Sequence, residues 1–135
     1  MMMKKIFMFV VMVMTLMACG SKPDIEETLV GRTYTLDESV ILEDEGYEVS
    51  FTITFDENNL SGRAHNNYNA NYEIEGNNIK ISPVATTLMA GPEELMKREN
   101  LYLKDLTGAK TISLDENKLT ITTEEDKQLI FTEVE

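Results

Sequence analysis

Apolar and polar residues alternate along most of the chain from Leu29 onward, which is typical of strands that bury one face. The clearest run is 49–55, where apolar residues alternate with Ser50, Thr52 and Thr54. Shorter runs with the same period lie at 72–74, 79–81, 112–114, 119–121 and 129–131. The pattern predicts a mostly β domain built from antiparallel hairpins.

Turn-forming residues separate these runs. Gly76-Asn77-Asn78 stands between two of them and predicts a hairpin. The segments DENNL (56–60) and DENKL (115–119) resemble each other, which raises the alternatives of an internal duplication or a calcium loop. Neither segment has the spaced oxygen ligands and mid-loop glycine of a calcium loop. Both are better interpreted as hairpin turns.

One segment has helical rather than strand periodicity, and it predicts a helix over about 92–107. Gly91 is suited to the N-cap and Pro92 to the first helical position, while Glu93 and Glu94 favour the positive helix end. Gly108 suits the helix end. An apolar stripe at helical spacing comprises Leu95, Met96, Tyr102, Leu103 and Leu106.

The first residues have the pattern of an export signal. Lys4 and Lys5 precede an apolar run over 6–17, which is shorter than the roughly 20 residues of a membrane span. Leu16-Met17-Ala18-Cys19 resembles a bacterial lipobox, which implies cleavage before Cys19 and attachment of lipid, such as palmitate, to its thiol. The alternative is an ordinary secreted protein with an incidental cysteine.

These features predict a signal peptide at 1–18, a lipidated N-terminus and short tether at 19–28, and one domain at 29–135. The chain carries 24 acidic and 12 basic residues, a net charge of −12, and loss of Lys4 and Lys5 with the signal makes it more negative. Such a surface disfavours nucleic acid. We expect a monomer anchored by lipid on Cys19 to the membrane of a bacterial cell envelope, with the leaflet undefined.

Spaced motifs in the domain resemble those of the META domain, the module of the HslJ-like heat-inducible proteins. ATTLMAGPEELMKRENLYLKDLTGAKTISLDENKLTI (85–121) is similar to the latter half of that domain, and SGRAHNNYNANYEI (61–74) is similar to an earlier segment. The resemblance covers roughly 29–133. The motif positions that match are Gly62, Asn66, Tyr68, Tyr72, Thr87, Met89, Ala90, Glu99 and Leu106.

The resemblance implies a fold: a mostly antiparallel, partly open β-barrel with one helix packed against it. Some positions depart from the family pattern. Many members carry cysteines where this chain has His65 and Gly91, so the resemblance implies that no disulfide joins these positions here. Tyr34 stands where the family usually has tryptophan, and Ala70 replaces a glycine.

Candidates for chemistry are few, and we expect no catalytic, cofactor-binding or metal-binding residues. His65 is the only histidine, and one histidine does not make a metal site. Glu99 lies at helical spacing from Leu95 and Tyr102, so it faces the apolar stripe. A carboxylate there must be paired or hydrogen-bonded, with backbone amides or Arg63 as candidate partners.

Two further interpretations concern binding. Asn66, Asn67, Asn69 and Asn71 with the nearby tyrosines are either turn and strand residues or a polar, aromatic-lined surface for a peptide or glycan. The sequence favours a non-enzymatic, stress-related envelope lipoprotein that binds an unknown protein or peptide. The alternatives are an assembly or pilot factor that holds a lipid or chain segment, and a small envelope enzyme that uses Glu99 or His65.

Overall fold

The computed structural model describes residues 24–42 and 46–134, so the predicted signal peptide and Cys19 lie outside the described residues. The first element of the described residues is α1 (Ile25–Leu29), so part of the predicted tether is helical. The helix α2 (Glu93–Thr107) begins one residue later than predicted. The strands are β1 (Thr33–Leu36), β2 (Val40–Leu42), β3 (Tyr47–Val49), β4 (Thr52–Phe55), β5 (Asn59–Arg63), β6 (Asn67–Glu75), β7 (Asn78–Ile81), β8 (Ala85–Thr86), β9 (Ala109–Asp115), β10 (Lys118–Thr123) and β11 (Gln128–Glu133).

Antiparallel pairing joins eight of these strands into a closed ring in the order β5-β4-β1-β11-β10-β9-β7-β6, and β6 pairs back to β5. The predicted antiparallel barrel with one packed helix is therefore confirmed, although the ring is closed and not partly open. The shortest strand pairing in the ring is between β7 and β9, where one pair of residues, Asn78 and Thr111, is in register. The strand β8 adds to the free side of β6, and β2 and β3 form a separate hairpin.

The alternating apolar residues fill the barrel, as the period of two predicts. Fully buried side chains include Tyr34, Phe55, Leu119 and Phe131. Edge-to-face aromatic contacts hold this interior together: the rings of Phe55 and Tyr72 lie 5.4 Å apart between centroids. The turns predicted within 56–60, 76–78 and 115–119 are found at 56–58, 76–77 and 116–117, where each joins two antiparallel strands. Gly76 has the positive φ of 64° that favours glycine there.

The two ends of the barrel differ. At the N-terminal end, α1 leads into β1, and the amide of Gly31 donates a hydrogen bond to the carbonyl of Phe55 at the last residue of β4. At the other end, which we call the helix end, β1 finishes, β4 starts, and the β5–β6 turn (64–66) lies beside α2. The strand register places these features at opposite ends. Thr33, at the start of β1, pairs with Thr54 near the end of β4, whereas Arg63 and Asn67 pair with each other beside Thr52 at the start of β4.

Candidate binding site at the helix end

The helix α2 turns one carboxylate into the protein. Glu99 lies among Leu95, Tyr102 and Leu106 on the buried face of α2 and is only 2% exposed. This confirms the orientation that helical spacing predicts. A buried carboxylate requires several hydrogen-bond donors, and the β5–β6 turn supplies them.

Three N–H groups donate to Glu99. The amides of His65 and Asn66 donate to Oε2 at 2.9 and 2.7 Å, and the side-chain Nδ2 of Asn66 donates to Oε1 at 2.8 Å. Of the two predicted kinds of partner, the backbone amides are the ones observed. Arg63 is exposed on β5, and its own amide donates to Thr52 Oγ1. Glu99 thus fixes the turn against the helix.

Asn66 also forms hydrogen bonds with the loop that precedes α2. Its Oδ1 accepts hydrogen bonds from Thr87 Oγ1 at 2.9 Å and from the amide of Met89 at 2.6 Å. Asn66 is itself 2% exposed, and both bonds are partly buried. The residues on either side of Leu88 are therefore bound to one buried amide.

The flanks of this loop are held as well. Thr87 exchanges hydrogen bonds with Asn67: its Oγ1 accepts from the Asn67 amide, and its own amide donates to the Asn67 carbonyl. His65 Nε2 lies 3.0 Å from the Ala90 carbonyl oxygen. Three of the positions that match the META domain, Thr87, Met89 and Ala90, thus contact the β5–β6 turn or the start of β6.

His65 also explains the small residue at 91. A Cβ built on Gly91 would lie 2.8 Å from His65 Nε2, which is closer than real Cβ contacts allow. The two positions at which the family resemblance implies cysteines are therefore neighbours here. The imidazole of His65 occupies the space beside Gly91.

Loop 87–91, the segment Thr87 to Gly91, displays an apolar side chain. Leu88 is 93% exposed and Met89 is 45% exposed, although hydrogen bonds hold the backbone on both sides of Leu88. Sequence reasoning missed Leu88, because it treated the segment only as the approach to a helix. The signal it could have used is the uncharged stretch 81–92, in a chain of which 27% is charged.

Beneath this network, tyrosine hydroxyls pair inside the barrel. Tyr68 and Tyr102 hydroxyls lie 2.7 Å apart, and the Tyr68 hydroxyl donates to the Thr52 carbonyl. Burial raises the pKa of Tyr68 and raises that of Tyr102 well above its ordinary value. Gly62 is close enough that a Cβ there would collide with the Thr52 carbonyl and the Tyr68 ring. These tyrosines are therefore structural.

The asparagines separate into two roles. Asn66 belongs to the buried network, while Asn67, Asn69 and Asn71 point outward from β6. Tyr68 and Tyr72 alternate with them and point inward, where the Tyr72 hydroxyl donates to the Asp56 carbonyl. The outer face of β6 therefore has asparagines without these tyrosines, and the predicted aromatic lining from this segment is wrong. Strand alternation places the rings in the core.

A small cleft lies along α2, between the helix and the barrel. Its cavity volume is about 70 Å³, and its apolar walls come from Leu36, Phe51, Leu101, Tyr102 and Leu129. Glu38, Arg98 and Asp105 stand at its polar side. Glu99 and His65 are not among its lining residues, so this cleft does not join the two predicted chemical candidates.

Two remaining observations concern metals and membranes. Among residues 24–42 and 46–134, no group of three or more His, Cys, Asp or Glu is placed to hold a metal ion. Within the same residues, no helix combines the length and the hydropathy needed to cross a bilayer. The remaining motif residue, Leu106, is fully buried in the core.

The fold and the site define a small antiparallel β-barrel domain whose single long helix fixes a loop at one end. The chain belongs to the META domain family, because the family model matches residues 27–135. No curated protein sequence matches the chain significantly.

Solved structures share the fold. An NMR structure of a protein from Burkholderia xenovorans has a TM-score of 0.64 and 17% identity, covering 87% of this chain and 93% of that one. A crystal structure of a DUF4847 family protein from Bacteroides vulgatus has a TM-score of 0.57 and 16% identity, covering 80% of this chain and 96% of that one. At these identities the likeness concerns the fold alone.

Proposed function

We propose that this META-domain protein is a lipid-anchored, non-enzymatic binding module of the bacterial cell envelope, which holds a protein or peptide partner. One observation carries the proposal: the buried polar network holds loop 87–91 in a form that leaves Leu88 exposed. Glu99 accepts three internal hydrogen bonds, and Asn66 uses its side chain to hold the residues around Leu88. Because these polar groups bond one another, we assign the network to holding the exposed loop in place.

The arrangement of the two ends supports the same proposal. The chain enters the barrel through α1 at the N-terminal end, and loop 87–91 lies at the opposite, helix end. With lipid on Cys19, four residues lie between the anchor and Asp24. Fully extended, the segment from Cys19 to Asp24 spans at most about 18 Å. The tether therefore keeps the N-terminal end near the membrane and leaves the helix end accessible to a partner.

The enzyme alternative has weaker support. A general acid or base must reach a substrate, but the Glu99 carboxylate is 2% exposed and engaged with the β5–β6 turn. His65 Nε2 is engaged with the Ala90 carbonyl. We therefore assign both residues to structure within the proposal.

A pilot or assembly factor that holds a lipid remains the second candidate, and the cleft along α2 is one apolar recess that it could use. The cavity volume of this cleft is only about 70 Å³. It accommodates part of a side chain rather than an acyl chain. The cleft therefore favours contact with a protein over storage of a lipid.

Chemical crosslinking of the anchored protein in the cells that make it tests the proposal, at normal and at raised temperature. The expected result is a defined adduct with an envelope protein, which increases after heating if binding is stress-related. The matched variant is Cys19→Ser, which removes the lipid and should reduce the adduct. Absence of any adduct, or an unmodified Cys19 in mass spectra of the mature N-terminus, would contradict the proposal.

A further inference from the structure

We infer that Leu88 is the anchor residue of a protein-docking surface at the helix end, and that its partner is a protein with an apolar pocket in a basic surface. The inference rests on the proposed function and deepens it by naming the contact and the partner chemistry. Leu88 is 93% exposed, and it is the most exposed of the large apolar side chains described.

The loop is pre-organised for contact. Asn66 Oδ1 binds Thr87 Oγ1 and the Met89 amide, the groups directly before and after Leu88. Because Glu99 in turn holds Asn66, the backbone at Leu88 is tied to α2 through buried hydrogen bonds. Because this backbone is already ordered, binding through Leu88 costs less conformational entropy than binding through a mobile loop.

The shape of the surface defines the shape of the partner. Loop 87–91 projects, and Met89, 45% exposed, adds apolar surface beside Leu88. A projecting side chain requires a concave partner. Strand addition is disfavoured here because the neighbouring β8 has two residues and follows Pro83, which donates no backbone hydrogen bond.

Charge selects between a protein and a lipid surface. The chain has a net charge of −12, and this negative field is that of the whole chain, because Glu93 and Glu94 beyond the loop are paired with Lys97 and Arg98. This field repels anionic headgroups and favours a basic protein surface. Loop 87–91 also lies at the end of the barrel opposite α1, where the chain arrives from the proposed anchor.

The test places a photo-reactive amino acid at position 88 of the full chain in the cells that produce it. The matched control carries the same amino acid at Ile41, which is 59% exposed on β2. We expect a protein adduct at 88 and a much weaker one at 41. Capture alone does not support the inference, so the captured protein is then purified and titrated against the detergent-solubilised full chain.

In that titration, Leu88→Ser should raise Kd by about tenfold or more, and Ile41→Ser should raise it by less than about twofold. Added salt should raise Kd, because it screens the attraction between this acidic chain and a basic partner. Melting temperatures of both variants should match the parent, because both side chains are exposed.

Three results would overturn the inference: adducts at 41 but not at 88, phospholipid adducts at 88, or equal Kd values for Leu88→Ser and the parent. If general crosslinking captures a partner and position 88 does not, the binding module stands and only the Leu88 surface falls. If neither captures anything, both fall.

Discussion

Asn66 shows how much of this molecule depends on single polar side chains. Its amide group donates to Glu99 and accepts from Thr87 and Met89, so one buried residue joins the helix, the β5–β6 turn and loop 87–91. Buried amides of this kind are stable only when nearly all of their hydrogen-bonding groups are satisfied. Each neighbour in the network therefore has a measurable role in stability.

Glu99 gives the first prediction at this scale. Glu99→Ala strands the amides of His65 and Asn66 and the Asn66 side chain, and each bond to a charged group contributes about 1.5–3 kcal/mol. We expect a loss of about 3 kcal/mol or more in the free energy of unfolding, measured by denaturant titration. Glu99→Gln retains one oxygen acceptor and should lose less. Parent-like unfolding of Glu99→Ala would show that the network does not support the fold.

Tyr34 gives the opposite prediction. Its hydroxyl is buried and has no hydrogen-bond partner among the described residues, and an unsatisfied buried polar group costs about 1–3 kcal/mol. Tyr34→Phe keeps the ring contact with Phe55 and should leave stability unchanged or raise it. Tyr102→Phe is the control, because it removes the hydroxyl that pairs with Tyr68. A clear loss of stability in Tyr34→Phe would reveal an overlooked partner.

At the scale of elements, hydrophobic period predicts most of what is observed. Alternation correctly places strand residues at 72–74, 79–81, 112–114, 119–121 and 129–131, and the apolar stripe gives α2 to within one residue. The run at 49–55 is divided between the end of β3 and β4. These features are local, so a single sequence contains them. The orientation of Glu99 follows for the same reason, since helical spacing fixes which face a residue occupies.

The rest depends on contacts between distant elements. Asn66 and Met89 lie 23 residues apart, and no local pattern indicates that one binds the other. Leu88 has an apolar side chain that local reasoning would bury, and only the loop path set by Asn66 leaves it exposed. The pairing of Tyr68 with Tyr102 is equally non-local.

The close approach of β4, β5 and β6 gives a prediction at this scale. Gly62 lies on β5, opposite Tyr68 of β6 and beside the Thr52 carbonyl of β4, and it leaves no room for a Cβ. Gly62→Ala should therefore displace Tyr68 and its hydrogen bond to Thr52, with a loss of about 1–3 kcal/mol from overpacking. Thermal melts measure this. Gly46→Ala is not a matched control, because Gly46 has a positive φ.

Gly108→Ala is the suitable comparison, since its nearest atoms leave ordinary contact distances of 3.6 Å or more. It should perturb the melt much less than Gly62→Ala. Equal effects of the two variants would show that crowding around Tyr68 is not the reason for glycine at position 62.

At the scale of the whole molecule, buried tyrosines link stability to alkaline pH. Burial raises the pKa of Tyr68 and Tyr102, and burial together with Glu26, Asp56 and Glu57 raises the pKa of Tyr72 to about 12. In the unfolded chain these groups ionise near pH 10. Their protonated forms therefore stabilise the fold fully below about pH 10, and that stability is lost as pH rises toward the folded pKa values.

Unfolding titrations at successive pH values, with tyrosinate absorbance recorded in parallel, measure this effect. We expect the free energy of unfolding to fall from about pH 10 upward, together with a late, cooperative ionisation of the buried tyrosines. Tyr102→Phe should weaken the pH dependence. Ionisation of all five tyrosines near pH 10 without unfolding would contradict the assignment of buried hydroxyls.

The neighbouring positions of β1 and β11 have a consequence for folding. Tyr34 pairs with Glu133, so the ring closes only when strands about a hundred residues apart in the chain meet. During synthesis, β1 is made early but cannot complete its pairing until β11 has emerged. A chain of this topology remains incompletely folded until its last strand is available, which is compatible with the export that its first residues predict.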